Sequence, residues 1–97
     1  MIITNRQKKK MATLLDEFTQ ANKVHGFDLK SINFYMDEDK EVVVMKIEYA
    51  RTLVNVIDSK MEIHVIDKKG AMSPLTWNIP GIKDQVKYLE KLQIVKI

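Results

Sequence analysis

The run Val42-Val43-Val44-Met45-Lys46-Ile47-Glu48-Tyr49 is the densest concentration of β-formers in the chain. β-Branched and aromatic residues favour a pleated, partly buried surface, so the run reads as the central strand of an antiparallel sheet spanning residues 29–66. Alternation places Val43, Met45, Ile47 and Tyr49 on one face and Val42, Val44, Lys46, Glu48 and Ala50 on the other. The second face starts apolar and ends charged. It is expected to be half covered at most, leaving Val42, Val44 and Ala50 open to a partner.

Working outward, Ile32, Phe34 and Met36 alternate with Ser31, Asn33 and Tyr35 as a preceding strand. Asp37-Glu38-Asp39-Lys40 is a hairpin loop by length and polarity. Downstream, residues 52–57 have strand composition but alternate poorly; they read as a third strand, closed by a turn at Asp58-Ser59-Lys60. Met61, Ile63 and Val65 then alternate as a fourth strand, and Asp67-Lys68-Lys69-Gly70 forms a turn with glycine in a left-handed position. Residues 71–78 suit a fifth strand, at an edge because Pro74 lacks a donor.

Helices flank this meander. Thr4-Asn5-Arg6-Gln7 can form a capping box, and Met11, Leu14, Leu15, Phe18 and Ala21 follow at helical spacing. Gly26 fits the position that ends such a helix, so helix 1 is expected from about Asn5 to Val24. Arg6, Lys8, Lys9 and Lys10 fit the first turns badly, because the helix dipole favours acids there. Either the helix begins near Thr13, with residues 1–10 a basic flexible arm, or the cluster is tolerated. After Pro80-Gly81, the stripe Ile82, Val86, Leu89 and Leu92 marks helix 2. The apolar end Ile94-Val95-Lys96-Ile97 either packs on the sheet or pairs with another subunit. The expectation is one α+β domain over residues 1–97: an antiparallel β-meander of three to five strands between an N-terminal and a C-terminal helix.

Composition narrows the function. With 97 residues, 45% hydrophobic and 30% charged, the chain can bury one modest core. It has no cysteine, which removes disulfides and thiolate sites. No signal peptide is read at the N-terminus and no apolar run is long enough to span a bilayer, so a cytoplasmic protein is expected. Charge is uneven: residues 1–24 carry +3, residues 25–67 carry −4 and residues 68–97 carry +4. Only two of the sixteen bases are Arg, which argues against sequence-specific DNA readout.

Catalytic constellations are weak. His25 and His64 stand 39 positions apart and read as unrelated, so neither a metal nor another cofactor is expected. Glu38-Asp39-Lys40 with Asp28 upstream has the letters of a metal-dependent nuclease core but falls in a turn. No serine lies in a nucleophile elbow, and three scattered glycines cannot build a phosphate loop.

Two binding classes remain. The first is a protein-interaction module: an adaptor, inhibitor or regulator of the kind phages and mobile elements encode. It would contact a protein or a second copy through Val42, Val44, Ile94, Val95 and Ile97. The alternative is a non-specific nucleic-acid binder. It would use Arg6, Lys8, Lys9 and Lys10, the row Lys83, Lys87 and Lys91, and Lys68-Lys69, with Phe34, Tyr35, Tyr49 and Trp77 as stacking aromatics. A protein ligand is favoured, because the acidic middle repels phosphate and Arg is scarce.

Overall fold

The computed structural model describes residues 1–21 and 23–96. In chain order these form α1 (Asn5–Ala21), β1 (Lys23–Val24), β2 (Phe27–Asp37), β3 (Val42–Leu53), β4 (Val56–Ile66) and β5 (Met72–Pro74). A 3-10 turn (Leu75–Trp77), α2 (Ile82–Glu90) and β6 (Gln93–Val95) complete the chain. The expected α+β meander between two helices is present. Strands run β1-β2-β3-β4-β5 and all pair antiparallel, with β6 joining β2 beside β1. The apolar C-terminal segment thus packs within the chain: Val95 pairs with Phe34 and Ile94 with Tyr35. Ile97 lies outside the described residues.

The capping box forms as read. The Thr4 N–H donates to Gln7 Oε1 at 2.9 Å, and the Gln7 N–H donates to Thr4 Oγ1 at 3.1 Å. Gln7 is fully buried, and its Nε2 donates to the carbonyls of Glu41 and Ile66 at 3.3 and 3.4 Å. One side chain therefore caps α1 and ties it to the β2–β3 loop and the end of β4. This tie fixes Arg6–Lys10 as helix, not as a flexible arm.

The helices cover opposite faces of the sheet. Met11 and Leu14 of α1 pack with Phe34, Val43, Met45, Ile47 and Ile66. Leu89 of α2 and Leu75 pack with Tyr35, Val44 and Ile63. Among the described residues the α1 side buries ten core residues and the α2 side five. Each such aliphatic or aromatic side chain contributes about 1.5–3 kcal/mol on leaving water, so the α1 side carries most of the apolar stabilisation.

Several expectations are corrected. Val44 is wholly buried beneath α2 and Leu75, and Val42 is half-buried in the same cluster, so neither presents an open face. Gly26 does not cap α1: it and His25 form a two-residue loop between β1 and β2, with φ of 81° and 52°. Positive φ at both loop positions is the type I′ pattern, whose twist matches the flanking strands. Residues 52–57 are not a separate strand, because β3 and β4 form one long hairpin turning at Val54-Asn55. The stripe of α2 is rotated from the expected one. Gln85 is buried and donates to Ile79 O at 2.8 Å, while Ile82 and Val86 are exposed.

Candidate interaction surfaces

The β3–β4 hairpin outgrows its sheet. β2 accompanies β3 only as far as the Asp28–Ala50 pair, whereas β3 and β4 stay paired to Leu53–Val56. Residues 51–58 therefore project as a two-stranded arm. Arg51 secures its base: Nε sits 3.4 Å from Asp58 Oδ2, and the guanidinium lies 4.4 Å above the Phe27 ring. Asn55 takes the left-handed turn position at φ 68°. Leu53, Val54, Val56 and Ile57 are 48, 92, 60 and 73% exposed. Scattered exposed aliphatics are ordinary, but four within five positions crowd this one projection, with Leu53 and Val56 paired on one face and Ile57 on the other.

Both lateral edges of the sheet are only partly covered. β5 pairs with β4 at His64, Val65 and Ile66, and the 3-10 turn that follows it also touches β4, so β4 has no outer strand from Val56 to Ile63 among the described residues. Strand edges of this kind are templates for further pairing.

The basic residues divide. Arg6, Lys9, Lys10 and Thr13 of α1 share a shallow concavity with Lys69 and Gly70 of the β4–β5 turn. Thr4 Oγ1 donates to Lys68 O at 2.9 Å, holding that turn against the helix. Asp67 Oδ1 accepts from the N–H groups of Lys69 and Ala71, both at 2.9 Å, and shapes the turn. Lys68 is engaged by Glu41, whose carboxyl the Lys68 hydrogen bond and charge hold below its ordinary pKa. No ion pair engages Arg6, Lys9, Lys10 or Lys69 among the described residues. Lys8 lies apart, beside Met11, Val95 and Lys96. Lys83 and Lys87 are exposed on α2, across the sheet, and Lys91 borders the acidic Asp37–Asp39 loop. Two of the three basic features thus converge and the third does not. The aromatics form no platform on the sheet: Phe34, Tyr35 and Tyr49 are buried and only Trp77 is exposed.

Two groups that look unrelated in sequence meet in space. His25 Nε2 and His64 Nε2 flank the carboxylate of Glu62, at 3.7 and 4.0 Å. Burial pushes the pKa of His64 down, and Glu62 opposes that shift. Among the described residues no group of three His, Asp or Glu side chains is arranged to hold a metal ion. The nuclease letters also separate, since Asp28 pairs with Lys23 at the far end of β2 from Glu38-Asp39-Lys40. No helix is long and apolar enough to cross a membrane among the described residues.

Of the interface residues read from sequence, Ile94 is exposed and Val95 packs against the α1-side core. The hairpin arm is not legible in the sequence, because its poor alternation resembles a weak strand. Comparison of the chain with protein-family models, with curated proteins and with solved structures finds no match.

Proposed function

We propose that this chain is a small non-catalytic binding module that engages a protein partner through the β3–β4 arm. One observation carries the reading: Leu53, Val54, Val56 and Ile57 are exposed together on a projection that no neighbouring strand shields. A two-stranded hairpin is marginal in water by itself, and exposed aliphatics there gain from a covering surface. The test is affinity capture with the wild-type chain and a Val54→Ser/Ile57→Ser variant, with circular dichroism verifying the fold. The expected result is a stoichiometric protein partner held by the wild type and lost from the variant. Identical bound proteins for both chains would sink the reading.

A second reading, non-specific nucleic-acid binding, has its own support in Arg6, Lys9, Lys10 and Lys69 around one concavity. Four phosphate contacts correspond to a log–log salt slope of roughly 3–4 in magnitude. Retention on heparin should fall in Lys9→Glu/Lys10→Glu and persist in Lys83→Glu/Lys87→Glu. Equal loss in both, or flow-through of the wild type at low salt, removes this reading.

A further inference from the structure

We infer that the partner for the arm is a second copy of this chain, joined by antiparallel pairing of the two β4 edges about a twofold axis at Ser59. The inference rests on the protein-binding reading above and names its ligand. The edge of β4 without a strand partner runs from Val56 to Ile63, bounded at one end by the Val54-Asn55 turn and at the other by β5 at His64 and the 3-10 turn after it, whose Leu75 packs with Ile63. A symmetric antiparallel pair must be centred on a residue if the buried and exposed faces of the two sheets are to match. That leaves few registers.

Centring on Ser59 pairs residues 56–62 with their counterparts and uses nearly the whole free stretch. It sets Asp58 opposite Lys60 twice, and Ile57 opposite Met61 twice. Centring on Lys60 instead opposes Lys60 to itself and Asp58 to Glu62. Centring on Asp58 opposes that acid to itself. Centring on Met61 allows only residues 59–63 before β5 blocks the edge. Directly opposed opposite charges and apolar pairs each contribute favourably across strands, and like charges oppose pairing. The Ser59 register also sets Val56 opposite Glu62, but it is the only one that opposes no like charges while using nearly the whole stretch.

The apolar surface agrees with it. Ile57 and Met61 share the α2 side of the sheet, judged by their pairing with Thr52 and Glu48 of β3. Ile82 is 60% exposed and lines the same concavity as Met61 and Ser59. In the Ser59 register, Ile57 of the second copy arrives opposite Met61 and beside Ile82. Ile57 of the arm and Ile82 of α2 thereby cover one another. Asp58 and Lys60, which would deter indiscriminate edge pairing, become complementary in this one register.

The test combines solution mass with a register probe, using the full chain. Light scattering should report twice the 11.3 kDa chain mass, and Lys60→Asp should return a single-chain mass with an unchanged circular dichroism spectrum. Because the chain lacks cysteine, Ser59→Cys places one thiol per copy on the twofold axis. Directly opposite positions lie about 4.5–5.5 Å apart between Cβ atoms. Mild oxidation should therefore give a covalent dimer. Ile57→Cys should not crosslink, because its twin lies about 13 Å away along the strands. A single-chain mass at the highest soluble concentration overturns self-pairing, as does crosslinking of Ile57→Cys as readily as Ser59→Cys. A monomer that still captures another protein through Val54 and Ile57 leaves the protein-binding reading standing.

Discussion

The Tyr88 hydroxyl of α2 donates to Asp37 Oδ2 at 2.6 Å, joining the second helix to the end of β2. Asp37 is buried and its other oxygen accepts from the Lys40 N–H at 3.1 Å, so this carboxylate organises the β2–β3 loop and anchors α2 together. Burial, then the Asp37 hydrogen bond, raises the pKa of Tyr88 well above that of an ordinary phenol.

Tyr88→Phe removes the donor and keeps the ring. Hydrogen bonds to charged groups contribute about 1.5–3 kcal/mol, so urea denaturation should register a loss of that size. The raised pKa adds a pH signature. The contribution is fully present below the ordinary tyrosine value near pH 10 and disappears as pH rises through the folded-state value. The stability gap between wild type and Tyr88→Phe should therefore close above pH 10. A gap that stays constant through the alkaline range contradicts this coupling.

Gln7→Ala should cost more than an ordinary cap. Loss of the reciprocal cap costs about 1 kcal/mol, and leaving buried carbonyls without their donor adds about 1–3 kcal/mol. A loss of roughly 2–4 kcal/mol in urea is expected, against a few tenths for Gln20→Ala, whose Nε2 only reaches exposed Asp16. Equal effects of the two substitutions would mean that Gln7 does not tie α1 to the Glu41 and Ile66 carbonyls.

These anchors differ in how far sequence could reveal them. The capping box is local, with both partners three residues apart, and is legible as a pattern. The α-β-α order is equally legible, because a helix or strand that buries one face shows it as periodicity. The arm fails that test for a physical reason: residues 51–58 have no core beneath them, so no alternation is selected and the segment mimics a poor strand. β1 escapes because two residues carry no period. Burial of Val44 follows from where Leu75 and Leu89 dock, a contact between distant segments that no local pattern reports. The union of the α1 cluster with Lys69 is likewise tertiary.

His64 provides the acid-side prediction. Its folded pKa is lowered, chiefly by burial, so the unfolded chain binds the proton more readily. Its contribution to stability is complete above the ordinary histidine value near pH 6.5. It is lost as pH falls from there towards the lowered folded value. The urea midpoint of the wild type should drop more steeply between pH 7 and pH 5 than that of His64→Gln, in which the titrating ring is gone. Parallel midpoint curves would show that His64 is not desolvated in the folded protein.

Gly70 links the basic concavity to the packing of α1. It has φ +83°, and a Cβ added there would meet the Arg6 carbonyl oxygen at 3.0 Å. Alanine is strained at such a φ, and backbone at that distance gives way poorly, so Gly70→Ala combines two penalties. Misfit of a side chain at a left-handed position costs of order 1–3 kcal/mol. The helix start or the turn must also shift, which separates Lys69 from Arg6, Lys9 and Lys10. The expected outcome is a urea midpoint lower by that amount, with earlier elution from heparin if the concavity binds polyanions. Thr19→Ala is the control, because Thr19 is exposed further along α1 and does not line that concavity. It should change neither quantity appreciably. A Gly70→Ala chain as stable as the wild type would show that the turn does not press on the start of α1.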